Sequence, residues 1–328
     1  MNKKNIAIVA GGYSSELVVS LKSAMGIYSF IDKTKYNVYI VQITKDKWVV
    51  KPNEQMEIML DKSDFSFMGK GGKLKFDFAY ITIHGTPGEN GLLQGYLEMM
   101  AVPYSCCGVL AAALTFNKYY CNHFLNHFGV RTAASILLRK GKSIASEQVV
   151  AELGLPVFVK PNDGGSSCGT TKVMVMEQLQ PAIAVAFDEG KEVIIERFIS
   201  GMEVTCGCYK ASGKTTVFPV TEVVSKNEFF DFDAKYNPAS AEEITPARIS
   251  NPLTEEVQQL TARIYDWIGA KGIIRVDYII SPENKIHLLE VNTTPGMTAT
   301  SFIPQQVRAA GLNMTDVLTE IIEAEYER

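Results

Sequence analysis

Hydrophobic positions in the first third of the chain come in short bursts separated by polar, glycine-bearing breaks. Ile6 to Ala10 is an unbroken apolar run that stops at Gly11-Gly12, and a run so short predicts a buried strand. Ser14 or Ser15 stands where it could cap a helix reaching about Ile31. Tyr36 to Ile43 predicts a second strand, and Phe78 to Ile83 another that ends at His84-Gly85. Gly91 to Met100 then reads as a helix stopped by Val102-Pro103. Strand, loop and helix in this order predict a parallel sheet that meets its ligands at the carboxyl ends of its strands. Gly12 and His84 both lie there.

After Pro103 the pattern predicts a helical stretch from Val109 to Phe128, a strand from Val157 to Lys160 and a polar, glycine-rich loop from Asn162 to Gly169. A return strand (Lys172 to Val175), a helix and Val193 to Glu196 complete this middle unit. The last third carries strands at Glu203 to Tyr209 and Val217 to Val224, a long polar segment from Ser225 to Thr245, and a helix from Thr254 to Gly269. Two strands, Gly272 to Ile280 and Lys285 to Asn292, precede two terminal helices. A structureless stretch of about 20 residues within a compact domain is usually functional, so Ser225 to Thr245 is expected to be a lid.

Composition narrows the class. The 328 residues call for two or three domains. With 46% hydrophobic and 21% charged residues, the chain is expected to be globular and soluble. Thirty-two basic against 36 acidic residues, with no basic block, argue against nucleic acid or an anionic membrane as partner. Cys106 to Phe116 is far shorter than the roughly 20 residues of a membrane helix. The short apolar run before Gly11 falls below the roughly 7–15 residues of a secretory core. A cytoplasmic protein is expected. The six cysteines show no framework spacing and read as small hydrophobes. His123 and His127 sit one helical turn apart without the glutamate of a zinc protease helix, and read as two polar residues on a helix face.

The candidate chemistry is that of a nucleotide, though the usual signatures fail. Gly141-Lys142-Ser143 and Gly213-Lys214-Thr215 lack the leading glycine of a P-loop, and no G-x-G-x-x-G follows the first strand. Asp163 to Gly169, by contrast, is a glycine-serine loop directly after Lys160-Pro161. Its backbone N–H groups and hydroxyls could cradle an anion that Lys160 reaches as a point charge. The strongest constellation lies near the end of the chain. Arg275 and Asp277 alternate on one strand, Glu290 and Asn292 on the next. Paired antiparallel, the strands gather two carboxylates and an amide oxygen beside an arginine. Hard oxygen ligands of this kind hold Mg²⁺ against nucleotide phosphates. A surface hairpin with a salt bridge explains poorly why such groups interrupt strands rich in Ile, Val and Leu.

With these residues in view the chain resembles an ATP-grasp enzyme, and within that superfamily the D-alanine:D-alanine ligase family. The matching stretches are Gly11-Gly12-x-Ser14-x-Glu16 with Val19-Ser20, His84-Gly85-x-x-Gly88-Glu89-x-Gly91, Pro103-Tyr104-x-x-x-Gly108 and Lys118. Val159-Lys160-Pro161 with Gly165-Ser166-Ser167-x-Gly169 follows, then Glu196-x-Phe198-Ile199-x-Gly201-x-Glu203 and Asp231-x-x-x-Lys235-Tyr236. Arg275-x-Asp277 and Glu290-x-Asn292-Thr293-x-Pro295-Gly296-Met297-Thr298 complete the set. They span about residue 5 to residue 325 in one order.

The resemblance implies a three-domain α/β ATP-grasp architecture. Residues 1–104 would form an N-terminal substrate-binding domain with a parallel sheet, residues 105–197 a central subdomain with the phosphate loop, and residues 198–328 a C-terminal subdomain with the metal site and the lid. ATP would lie between the last two. Lys118 and Lys160 would contact the α- and β-phosphates, Lys235 the phosphate in transfer, and Glu203 the ribose. Glu196, Phe198 and Ile199 would frame the adenine. Asp277, Glu290 and Asn292 would hold two Mg²⁺ or Mn²⁺ ions. Glu16 would take the ammonium of the first D-alanine, His84 would lie near its carboxylate, and Ser301 would hold the carboxylate of the second. Ser166 and Tyr236 would link the phosphate loop to the lid and Glu16. Arg275 and the Gly296 N–H would form the oxyanion hole. The implied activity is ATP-dependent synthesis of D-alanyl-D-alanine for peptidoglycan, by a homodimer. A D-lactate- or D-serine-incorporating ligase and a catalytically silent nucleotide binder are the alternatives. Val18, Gly164 and Phe302 depart from the family pattern, at positions where it usually has a charged residue, an acidic residue and a leucine or methionine.

Overall fold

The computed structural model describes residues 3–14, 16–53, 55–165, 168–225 and 241–326. The first sheet orders its strands Met56–Met59, Trp48–Asn53, Tyr36–Ile43, Lys4–Gly11 and Phe78–Ile81. The last three are mutually parallel, as their apolar runs predict. The two outer strands are antiparallel, so the sheet is mixed. Met56–Met59 is short and mostly exposed, and it carries no clear apolar period from which to read it.

Both faces of this sheet are buried. On one, Ala7, Val9, Val41 and Ile43 meet Phe65, Phe67, Leu93 and Leu97. On the other, Ile6, Ile8, Phe78 and Tyr80 meet Ala24 and Ile27 of the helix Leu17–Phe30. Ile303, Val307, Val317 and Ile321 of the last two helices join that same cluster. The beginning and end of the chain therefore share one core, and this fixes the first sheet against the C-terminal third.

A second, wholly antiparallel sheet orders Thr171–Val173, Val157–Pro161, Glu192–Arg197 and Ser135–Arg139. Val157, Val159, Val193 and Ile195 bury against Leu138, Val149 and Ala186. Alternation turns Lys160 and Glu196 to the opposite face.

The third sheet runs Ala241–Ile244, Thr221–Ser225, Met202–Ala211, Ile274–Ile280, Ile286–Asn292 and Arg131–Thr132, with Lys214–Val217 paired to Met202–Ala211. Its core face packs on Val257, Leu260 and Ile264 of the helix Asn251–Trp267. Cys206 and Cys208 point into this core. Gly207 between them lies on the other face, where a Cβ would sit 2.4 Å from Ile303 Cδ1. The six cysteines are unpaired.

Two expected elements differ. The single helix read from Val109 to Phe128 is broken at Asn117, whose extended backbone separates Val109–Phe116 from Lys118–His127. The Asn117 side chain caps the second helix by accepting the Tyr120 N–H. Both helices, read as part of the central unit, bury Ala111, Cys121 and Leu125 in the core of the third sheet. The helix Leu17–Phe30 starts after Glu16 with no side-chain cap. The Ser14 hydroxyl accepts the Glu16 N–H at 3.3 Å and donates to the His84 carbonyl at 3.1 Å; Ser15 lies outside the described residues. His123 stacks on Tyr119, with ring centroids 4.0 Å apart, which agrees with the plain helix-face reading. Among the described residues no helix is long and apolar enough to cross a membrane.

Candidate active site

The strands Ile274–Ile280 and Ile286–Asn292 pair with Arg275 opposite Asn292 and Asp277 opposite Glu290. All four side chains therefore share one face, while Val276 and Val291 occupy the core face. A register shift follows Asp277, so Tyr278 pairs with Leu288. The extra residue lets both Val291 and Leu288 face the core although three positions separate them. Met202–Ala211 flanks the pair and sets Thr205 opposite Asp277.

Asp277 is buried and heavily bonded. Arg275 donates Nε to Oδ1 and Nη2 to Oδ2, both at 2.8 Å. Thr205 donates its hydroxyl to Oδ1 at 2.6 Å, and Asn292 its amide to Oδ2 at 3.0 Å. The burial that would expel the charge on Arg275 is outweighed by Asp277, with Glu290 and Glu203 adding to it, so the guanidinium stays charged.

Opposite this face stand the two lysines. Lys118 opens the helix after the Asn117 break; its N–H donates to the Asn162 carbonyl at 3.1 Å and its amine to the Gly164 carbonyl. The same amine lies 3.9 Å from Glu290. Lys160 is paired with Glu196 at 2.6 Å, both side chains largely buried. Burial works against the Lys160 charge, but Glu196, then Glu290 and Glu203, outweigh it and hold the ammonium more firmly than usual. Phe198 follows on the next loop, its ring 5.9 Å from Phe158 and beneath the Lys172 amine, and Ile199 is half-buried beside it.

The other end of the site is built from loops. Gly11 and Gly12 adopt positive φ, and a Cβ on Gly11 would sit 2.3 Å from the Ile43 carbonyl, so only glycine lets the chain leave the strand here. The Glu16 carboxylate lies against Gly165, where a Cβ would be 2.8 Å from both of its oxygens. His84 is buried with Nε2 3.4 Å from the Ser23 hydroxyl. Burial lowers its pKa; the Glu16 carboxylate opposes that effect and Arg275 adds to it. Gly296 faces Ser301, with a Cβ position 3.1 Å from the Ser301 hydroxyl. Arg275 lies over the Phe302 ring at 5.2 Å.

Lys118, Lys160, Glu196, Glu203, Arg275, Asp277, Glu290 and Asn292 thus gather at one end, and Glu16, His84, Gly296 and Ser301 at the other. Ser166, Lys235 and Tyr236 lie outside the described residues, as does the expected lid over 226–240.

The sequence matches two family models in the same order, the D-ala D-ala ligase N-terminus over residues 5–107 and the D-ala D-ala ligase C-terminus over residues 124–323. The chain belongs to the D-alanine–D-alanine ligase family. It is 67% identical over 325 residues to a D-alanine–D-alanine ligase of Parabacteroides distasonis, covering 99% of this chain and 98% of that one. Two solved structures extend the likeness to the whole fold. The VanG D-Ala:D-Ser ligase of Enterococcus faecalis matches at 29% identity with a TM-score of 0.87, covering 99% of this chain and all of that one. The D-alanine–D-alanine ligase of Bacillus anthracis complexed with ATP matches at 29% identity with a TM-score of 0.78, covering 99% and 98%.

Several residues of the site escape a reading by motif. Asn162, fully buried, ties the phosphate loop to the Lys118 helix: its side chain accepts the Tyr119 N–H at 2.9 Å and donates to Glu192 at 2.8 Å. Asn122, one turn after Lys118, donates to Glu196 at 3.2 Å; its spacing from Lys118 was the available signal. Gly26 lets the helix Leu17–Phe30 cross the Thr293-to-Met297 turn, where a Cβ would sit 2.0 Å from the Met297 carbonyl. Glu89, part of the glycine-rich motif after His84, accepts the Gly85 N–H and the Thr294 hydroxyl, both at 2.6 Å. Burial, and then the charge of Glu16, push its pKa up to about 7.

Proposed function

We propose that this protein joins two D-alanines into D-alanyl-D-alanine while converting ATP to ADP and phosphate, supplying a peptidoglycan precursor. The observation that carries the reading is one continuous surface. The Arg275–Asp277–Glu290–Asn292 face and the lysines lie at one end, Glu16 and His84 at the other, and the turn from Gly296 to Ser301 lies between them.

Two metal ions fit the donor set in kind. Asp277, Glu290 and Asn292 offer hard oxygen, which suits Mg²⁺ or Mn²⁺ and not a thiolate-seeking metal. Among the described residues no three His, Cys, Asp or Glu side chains form a metal-holding group, so the site relies on two carboxylates and an amide. When bound, the ions would neutralise phosphate charge during transfer.

This chain's own residues do the rest. Lys118 and Lys160 hold the α- and β-phosphates; Glu196, Phe198 and Ile199 frame the adenine, and Glu203 the ribose. Glu16 takes the ammonium of the first D-alanine and His84 lies near its carboxylate. That carboxylate attacks the γ-phosphorus, the bond from phosphorus to the β–γ bridging oxygen breaks, and ADP leaves a D-alanyl phosphate. The free amine of the second D-alanine, held at Ser301, attacks the acyl carbon. Arg275 spends Nε and Nη2 on Asp277, and its Nη1 joins the Gly296 N–H in stabilising the oxyanion. Collapse expels phosphate, and the nitrogen loses its proton. Ser166, Lys235 and Tyr236 keep the roles that the family resemblance gives them, and a homodimer is the expected assembly.

The test is ADP release with ATP and Mg²⁺, offering D-alanine, D-alanine with D-lactate, D-alanine with D-serine, or no amino acid, with the product identified by mass. D-Alanyl-D-alanine should dominate each mixture. A mixed dipeptide or an ester as the main product would transfer the reading to the corresponding relative, and ATP binding without ADP release to a silent binder.

A further inference from the structure

The Thr298-to-Ser301 turn, which presents Ser301, is held from behind by the helix that follows it, Phe302–Ala309. Within the turn, the Ser301 hydroxyl accepts the Thr298 N–H at 3.0 Å. From the helix, Arg308 donates to the Ala299 carbonyl at 3.1 Å, and Gln305 donates Nε2 to the Thr300 carbonyl at 2.7 Å. That same Gln305 amide also donates to Glu243 Oε2. Glu243 belongs to another element, the edge strand Ala241–Ile244, where it pairs with Val223. One amide group with two hydrogens thus fastens the residue before Ser301 to a carboxylate on the sheet.

The neighbouring glutamine separates this contact from folding. Gln306 is fully buried; it accepts the Gly207 N–H at 2.9 Å and donates to the Thr205 carbonyl and the Thr221 hydroxyl, each at 3.1 Å. Gln306 therefore seats the helix on the sheet. Gln305, only half-buried, reaches the turn and the edge strand instead. Burial makes the Glu243 carboxyl less acidic than usual, while the Gln305 amide and the nearby Arg275 oppose that effect, so Glu243 too stands inside the site's electrostatic surroundings.

We infer that Glu243 and Gln305 are positioning residues: together they set where the Ser301 hydroxyl stands and so tune the affinity for the amino acid that binds second, without touching it. The inference rests on the reading of Ser301 given above.

Rates measured against D-alanine at saturating ATP, fitted for two sequential amino-acid sites, test it on the full-length enzyme. Gln305→Met keeps the side-chain length and removes both donated bonds. KM at the second site should rise about tenfold, the size of one to two hydrogen bonds. KM for ATP and at the first site should stay within about twofold, and the melting temperature within a few degrees. Glu243→Ala should reproduce the shift, and Glu243→Gln, which still offers an amide oxygen to Gln305, should largely restore the parent value. The double variant Gln305→Met with Glu243→Ala should be no worse than either single change, because both remove one contact. An equal rise in all three KM values, additive effects, or an unchanged second site would overturn the inference. Ser301→Ala distinguishes the two levels. If it leaves the second-site KM unchanged, the role given to Ser301 fails and the inference with it. If it raises that KM while Gln305→Met does not, only the brace fails.

Discussion

Asp277 and Glu89 are carboxylates at opposite ends of one site, and their surroundings are opposites as well. Asp277 accepts two bonds from the Arg275 guanidinium as well as those from Thr205 and Asn292. Its partners stand on neighbouring strands of one sheet, at distances set by pairing register. Glu89 accepts only neutral donors, a backbone N–H and the Thr294 hydroxyl, and its second partner lies 205 residues away in sequence. A buried carboxylate with a cation keeps its charge; one with neutral donors alone gives up acidity. The triphosphate end is therefore assembled and charge-compensated by a single sheet. The amino-acid end exists only when the N-terminal loops dock against the C-terminal turn. Changes at the first end should damage chemistry and leave the rest intact, whereas changes at the second should couple binding to docking.

The largest effect should come from Asp277→Asn. An amide keeps the shape and can still accept from Thr205, but it cannot supply a carboxylate to a metal or balance Arg275. We expect kcat to fall at least ~100-fold, several kcal/mol of lost charge stabilisation, with a folded protein by circular dichroism. Near-parent turnover at saturating Mg²⁺ would refute the division of labour at its strongest point.

Glu16→Gln probes the other end. It removes the charge proposed to meet an ammonium and leaves the lysines and the strand pair untouched. KM for the first D-alanine should rise roughly 10- to 100-fold, in line with a charge-assisted bond worth about 1.5–3 kcal/mol. KM for ATP should stay within about threefold. Equal rises in both would mean that the two ends are not separable.

Gly26→Ala tests docking directly, because Gly26 touches no reacting group. Its Cβ would meet the Met297 carbonyl at 2.0 Å, so the helix Leu17–Phe30 or the turn must move. Overpacking of this kind costs about 1–3 kcal/mol, a lower melting temperature by several degrees. The first-site KM for D-alanine should rise more than that for ATP. A variant as stable as the parent would show that the close approach carries no strain.

How much could be read from the sequence follows the same division. Arg275, Asp277, Glu290 and Asn292 are legible because alternation within two consecutive strands fixes their shared face. The register shift after Asp277 is not legible, yet it falls beyond the four residues that matter. Lys160 and Glu196 are legible singly, and their pairing follows from adjacent antiparallel strands. The Asn117 break was missed because both flanking segments favour helix; the break is made by tertiary contacts, with Lys118 bonding to the Asn162 carbonyl and Asn117 bridging to Asp163. Gly26 against Met297, Glu89 against Thr294 and Glu16 against Gly165 join segments brought together by the shared core of Ile8, Ile27, Ile303 and Val307. No local period encodes such meetings. The edge strands Trp48–Asn53 and Met56–Met59 were equally silent, being short and partly solvated.

The smallest expected effect concerns Glu89 and the pH dependence of stability. Its pKa in the folded protein, about 7, lies above the ordinary carboxyl value because of burial and the nearby Glu16 charge. The folded state therefore holds a proton that the unfolded chain has already lost between about pH 4.5 and 7. Where the folded state binds more protons, stability falls as pH rises, so this group's contribution is full below the window and lost through pH 7. His84 acts in the opposite sense: burial lowers its pKa, so the unfolded chain binds the extra proton and stability rises with pH through that range. Only a difference between parent and variant isolates Glu89. Glu89→Gln is neutral at every pH, its amide oxygen can still accept the Gly85 N–H, and the Thr294 hydroxyl can rotate to accept from its amide nitrogen. Urea unfolding of both proteins at pH 5, 6, 7 and 8 should give curves that diverge as pH rises, the variant gaining on the order of 1 kcal/mol relative to the parent by pH 8. Parallel curves across that range would mean that Glu89 ionises as freely in the folded protein as in the unfolded chain, and the contrast with Asp277 would then rest on geometry alone.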